Sequence, residues 1–115
     1  MSRITTHVLD TSTGRPAEGV PVVLDRAAPE SDGWERVGRG VTDADGRRGD
    51  LAGNGRRLAA GRYRLTFDTG AYFTRTGRRA FFPEVAVVFA IEEGREHEHV
   101  PLLLSPYGYS TYRGS

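Results

Sequence analysis

Apolar and polar positions alternate along this chain in short runs, and glycine, proline and aspartate separate the runs. Residues 4–10 alternate strictly, with Ile4, Thr6 and Val8 on one face and Thr5, His7 and Leu9 on the other. A period of two is the signature of a half-buried strand. Residues 20–24 form a short apolar run with Pro21 near its start, where a missing N–H is tolerated. Residues 34–42 read as a third strand interrupted by Gly38 and Gly40, and Tyr63, Leu65 and Phe67 share one face of a fourth. Residues 85–92 read as the clearest core strand. The punctuation consists of a turn cluster at 11–16, a loop at 27–33, a tight turn at Asp45-Gly46, a glycine- and arginine-rich loop at 53–57, and Glu93-Gly94. One segment breaks the pattern. Asp68 or Thr69 can cap a short helix through Tyr72 and Phe73, and Gly77 can stop it. Short strands, frequent turns and one helix predict an all-β fold, an antiparallel sandwich of two sheets with one short α-helix.

Residues 97–115 do not read like a chain end, since termini are commonly polar and frayed. An apolar strand leads through a Ser105-Pro106 turn into a tyrosine-rich strand that is expected to run to the final residue. Side chains two apart share a strand face, which groups His97 and His99 with Pro101 and Leu103. On the second strand Gly108, Ser110, Tyr112 and Gly114 fall together. Small residues there leave space beside a phenol and an imidazole, which describes one wall of a binding site.

The 115 residues fit a single domain, 1–115. A domain of this size buries roughly two-thirds of its unfolded surface, enough for a core but not for a large private cavity. A site formed between subunits solves that problem. The net charge of +1 gives no strong pull toward nucleic acid or an anionic membrane, and the Arg-Arg pairs at 47–48, 56–57 and 78–79 are scattered. All 16 residues counted as Lys+Arg are arginine, which reads as a codon bias. With no cysteine, disulfides, thiolate metal sites and cysteine nucleophiles are excluded. No apolar run follows Met1 or approaches the roughly 20 residues of a membrane span, and the Ser-Lys-Leu peroxisomal address is absent from the end. A cytoplasmic protein is expected.

The run from His99 to Ser115, with its terminal Tyr112-Arg113-Gly114-Ser115, resembles the C-terminus of the 5-hydroxyisourate hydrolases, the transthyretin-related enzymes of urate breakdown. Thr6-His7-Val8-Leu9-Asp10 is similar to that family's opening strand. Asp45-Gly46-Arg47 and Phe67-Asp68-Thr69-Gly70-Ala71-Tyr72-Phe73 match its middle. The resemblance covers nearly the whole chain, and the terminal tetrapeptide is its most specific part, because transthyretin proper lacks it. It implies a transthyretin-like sandwich and a homotetramer, a dimer of dimers with sites at the subunit interface. The implied activity is hydrolysis of 5-hydroxyisourate to 2-oxo-4-hydroxy-4-carboxy-5-ureidoimidazoline, without a cofactor. His7, Arg47, His99 and Ser115 are the implied catalytic residues, and His7, Arg47 and Tyr112 line the substrate.

Each of these residues also has a plainer reading. Residues 8–67 alone match the sandwich modules of carboxypeptidase-regulatory-like and adhesin-type proteins, so that stretch speaks to fold rather than activity. A histidine in a strand is by default a surface or interface residue, and the resemblance promotes His7 and His99 beyond that. His97 shares the face of His99 but lies further out and reads as a solvated strand end. His-x-His on one face can also chelate zinc, with His7 as a third ligand, whereas the resembled enzymes need no metal. A turn arginine is usually solvated, and Arg47 is selected over Arg48 because it directly follows the matched Gly46. Arginine suits planar, bidentate recognition of anionic oxygens such as the edge of a urate-like ring. Ser115 carries the α-carboxylate and has no base fixed beside it by sequence. The competing function is a transthyretin-like carrier of small ligands with no chemistry. The set His7, Arg47, His99 and the terminal tetrapeptide discriminates against it.

Overall fold

The computed structural model describes residues 3–53 and 57–115. The middle of the expected loop at 53–57 therefore lies outside the described residues. The elements in order are β1 (Arg3–Asp10), β2 (Arg15–Pro16), β3 (Pro21–Ala27), β4 (Trp34–Val41), β5 (Arg47–Arg48), β6 (Gly61–Phe67), α1 (Thr69–Arg75), β7 (Val85–Ile91), β8 (His97–Ser105) and β9 (Gly108–Thr111). They form two sheets. One has the order β2-β1-β8-β9, with β5 also paired to β1, and the other runs β4-β3-β6-β7. Among the described residues no helix is long and apolar enough to cross a membrane.

The alternation seen in the sequence sets the core. Ile4 and Val8 of β1, Val22 and Leu24 of β3, Leu65 and Phe67 of β6, and Leu102 and Leu104 of β8 are all buried between the sheets. Thr6 shares the inward face of β1 and satisfies its hydroxyl by donating to the Val100 carbonyl at 2.6 Å. Pro21 is the first residue of β3, as its missing N–H requires. Helix α1 is capped by the Asp68 carboxylate, which accepts from the Ala71 N–H at 3.0 Å. Tyr72 and Phe73 turn from the helix into the core.

Three features depart from the expectation. The first is that β1 and β8 pair in parallel, from Arg3 opposite His97 to Asp10 opposite Leu104, so this sheet is mixed. A second is that β7 is an edge strand: only its ends, Val85 and Ile91, are buried, and Val88 is 48% exposed. Its apolar run reads as core from sequence because periodicity does not distinguish a strand covered on both faces from one at an uncovered edge. Finally, β9 stops at Thr111, and the ladder resumes only as a single bridge between His99 and Gly114.

A buried carboxylate locks α1 onto β1. Asp10 is fully buried. It accepts from Arg78 Nη2 at 2.6 Å, from the Tyr72 hydroxyl at 2.8 Å and from the Ser12 N–H at 3.0 Å. Burial alone pushes the Asp10 pKa upward, but the hydrogen bonds from Arg78, Ser12 and Tyr72 outweigh it and hold the group at about 2. The folded value lies below the ordinary 3.8, so the stabilisation is fully present above that pH and is lost as pH falls through about 2. It amounts to about 2 kcal/mol. Arg78→Ala leaves a buried carboxylate without its cation and is expected to cost about 3 kcal/mol by urea denaturation at pH 7. Below pH 2 the gap between wild type and variant should close. A gap that stayed constant with pH would mean that the Asp10 charge is not what Arg78 stabilises.

Candidate active site

The outward face of β1 carries Thr5 and His7, and the outward face of β8 carries His97 and His99. Parallel pairing sets Thr5 opposite His99 and His7 opposite Pro101. The Thr5 hydroxyl lies 2.8 Å from His99 Nδ1 and 3.2 Å from His97 Nε2. One hydroxyl carries one proton, so at most one of those two ring nitrogens accepts from it and the other must donate. The tautomers of the two imidazoles are therefore coupled through Thr5. When His99 donates from Nδ1, its Nε2 keeps a free lone pair.

His7 is oriented by a turn. Its Nε2 lies 2.9 Å from the Asp45 carbonyl, which can only accept, so Nε2 carries a hydrogen and Nδ1 is left for chemistry. The turn is built by Asp43, whose carboxylate accepts from the N–H groups of Asp45 and Arg47 at 2.9 and 3.0 Å. Gly46 has a φ of 75°, and a Cβ there would lie 2.3 Å from the Val8 carbonyl, so only glycine lets the turn press against β1. The chain leaves this turn as β5, which sets Arg47 opposite His7.

At the other end of the face, Gly114 donates its N–H to the His99 carbonyl at 2.8 Å. A Cβ on Gly114 would lie 2.5 Å from His99 Cδ2, so the ring packs directly on the glycine. Ser115 then joins Thr5, Arg47, His97 and His99 around an open depression of about 310 Å³. His7 stands on the same sheet face without lining that depression. Tyr112 is 57% exposed and lies elsewhere. With Val87, Phe89 and His99 it borders a gap of about 250 Å³ at the open edge of the sandwich. Within one chain, then, Arg47, His99 and Ser115 come together, His7 is their neighbour through Arg47, and Tyr112 shares a second gap with His99 alone of this set.

Burial lowers the His99 pKa below its ordinary 6.5, and the positive charge of Arg47 and proximity to His7 and His97 lower it further; a hydrogen bond to the Thr5 backbone offsets this in part. The ring is consequently neutral at pH 7, the form that can take a proton. Among the described residues no three His, Cys, Asp or Glu side chains are grouped as metal ligands.

A model of the HIUase/Transthyretin family matches residues 4–114. The chain belongs to the HIUase/transthyretin family. The 5-hydroxyisourate hydrolase of Salmonella dublin is 49% identical over 112 residues, which is 97% of this chain and 80% of that protein. The structure of Klebsiella pneumoniae 5-hydroxyisourate hydrolase is similar with a TM-score of 0.85 at 46% identity, covering 100% of both chains. Sea bream transthyretin in complex with thyroxine has a TM-score of 0.88 at 35% identity, over 96% of this chain and 93% of that one. The two-sheet sandwich with one short helix is the transthyretin-like fold expected from the sequence.

The sequence does not mark Thr5 as a site residue, although it is the group that joins His97 to His99. Its place on the same strand face as His7 is the signal, and the partner strand is needed to read it. If Arg47 helps keep His99 neutral, Arg47→Gln should move the His99 imidazole titration, followed by NMR, to higher pH. An unchanged or lower midpoint would show that the guanidinium does not act on this ring.

Proposed function

We propose that this protein hydrolyses 5-hydroxyisourate to 2-oxo-4-hydroxy-4-carboxy-5-ureidoimidazoline. The hydrolase class rests on the relatives that match almost the whole chain, among them the mouse 5-hydroxyisourate hydrolase at 43% identity over 114 residues. The observation that carries the finer reading is the grouping of His99, Arg47 and the terminal Ser115 around one depression. The reaction adds water to an acyl carbon and breaks a ring C–N bond. A base must take a proton from the water, a donor must stabilise the oxyanion that forms, and the departing nitrogen must receive a proton. In the tautomer whose Nδ1 donates to the Thr5 hydroxyl, Nε2 of His99 suits the first role, since a neutral imidazole can accept a proton at pH 7. The Arg47 guanidinium suits the second and holds the anionic ring. The proton that His99 takes from the water must reach the departing nitrogen, and His7, whose Nε2 donates to the Asp45 carbonyl, can accept it at the Nδ1 lone pair and pass it on. Ser115, by hydroxyl or carboxylate, positions water or the His99 ring.

The proposal includes a homotetramer in which a neighbouring subunit completes the site, and a cytoplasmic setting without a cofactor. Two observations support a shared site. The depression is open on the side away from the sheet, with His97 and Arg47 exposed. The β7 edge also leaves Val88 uncovered, and an unpaired apolar edge is a pairing surface. The second reading is a small-ligand carrier, favoured by the likeness to a transthyretin solved with thyroxine.

Freshly generated 5-hydroxyisourate should lose its absorbance faster with the protein than without it, and a rate equal to background would remove the enzymatic reading. His7→Ala and His99→Ala should each lose ~10²–10⁴ in kcat while staying folded, and His97→Ala much less. Equal losses at all three would point to a metal cluster instead. Tyr112→Thr should keep the tetramer by light scattering, lose most turnover and gain affinity for bulkier aromatic ligands. A scattering mass of one chain for the wild type would sink the shared site.

A further inference from the structure

The terminal tetrapeptide reaches the candidate site with little to hold it. The β9 ladder has ended at Thr111, and a single bridge at Gly114 is the backbone contact that returns the tail to β8. Tyr112 and Ser115 are exposed on either side of that bridge. A one-bridge tail would fray unless a side chain anchored it.

Arg113 is that side chain. It lies between Tyr112 and Gly114 and turns to the opposite face of the sheet, away from the imidazoles. There its Nε donates to Glu98 Oε1 at 3.3 Å and its Nη2 to Oε2 at 3.4 Å, a forked pairing on one carboxylate. Glu98 is only 6% exposed, and it immediately precedes His99. Arg95, from the turn before β8, binds the same Oε1 at 3.0 Å. Two residues side by side on β8 thus grip two residues side by side on the tail. Glu98 holds Arg113 from within the sandwich, and His99 holds Gly114 on the outer face.

We infer that Glu98 and Arg113 are positioning residues for the proposed hydrolysis, acting through the Gly114 bridge to fix the His99 ring and the terminal Ser115. The inference rests on the proposed function for its kinetic arm alone. Arg113 borders the gap at the sandwich edge, with its guanidinium on Glu98, and does not line the depression that holds Arg47 and Ser115. Its contribution is geometric: displacement of reacting groups by about 1 Å costs on the order of 10² in rate.

The test pairs Arg113→Ala with Glu98→Gln, an isosteric change at the buried position. In both variants hydrogen exchange at the Gly114 amide should accelerate about tenfold or more, while the Val8 amide, bonded to Gly46, keeps its protection. In both, kcat/KM should fall about ten- to a hundredfold. Arg113→Lys should recover part of the loss, because it restores the charge without the fork. The double variant should be no worse than the poorer single variant, since either change already breaks the pairing. Unchanged Gly114 exchange in both single variants would overturn the inference, as would kinetic losses that multiply in the double variant. If the wild type fails to turn over 5-hydroxyisourate, the proposed function falls, and the exchange measurement, which needs no substrate, still decides whether the pair holds the tail.

Discussion

Parallel pairing of the first long strand with the penultimate one is the contact on which the rest of this molecule depends. It joins segments at the two ends of the chain, from Arg3 opposite His97 to Asp10 opposite Leu104. Closing so long a loop is entropically unfavourable, though the cost grows only slowly with length. What repays it is burial on the inward face, where Ile4 and Val8 meet Leu102 and Leu104 in the core. The same register fixes the outward face. A slip of one residue would turn the core residues to solvent and the imidazoles inward, so packing of the interior and assembly of the candidate site are one constraint.

That strand pair carries a buried carboxylate near each end, on the face between the sheets. Asp10 is met by Arg78 from beyond the helix, and Glu98 by Arg95 and Arg113 from the turn before β8 and from the tail. A buried charge demands a partner. Each acid therefore draws a different peripheral segment onto the central pair: one fastens helix α1 and the other fastens the terminus. Asp10 and Glu98, both costly to bury, thus tie irregular segments to the regular ladder.

The outer face is ordered by smaller devices. Asp43 shapes the turn that presents the Asp45 carbonyl to His7 and delivers Arg47 beside it. Thr5 links two imidazoles with one hydroxyl. Gly46 and Gly114 sit where backbone or ring approaches too closely for a Cβ. Family membership places this arrangement among proteins that include both hydrolases and transthyretins. The chemistry on the face, a neutral imidazole beside an arginine, is what favours the hydrolase reading over the carrier.

The sequence by itself determined the longer strands and the helix, but not the two-residue strands β2 and β5, which are strands only through their pairing with β1. Alternation marked the strands, Asp68 and Gly77 bounded the helix, and Asp45-Gly46 marked the turn, because each depends on side chains within a few residues of one another. It also supplied the chemical inventory of His7, Arg47, His99 and the terminal tetrapeptide. Tertiary structure alone decided which strands are neighbours. It made β7 an edge, since periodicity reports which faces are apolar and not what covers them. It placed Thr5 between His97 and His99, ended β9 before Tyr112, and turned Glu98 and Arg113 toward each other across two strands. Those relations join residues far apart in the chain, and they exist only once burial has fixed the register between strands.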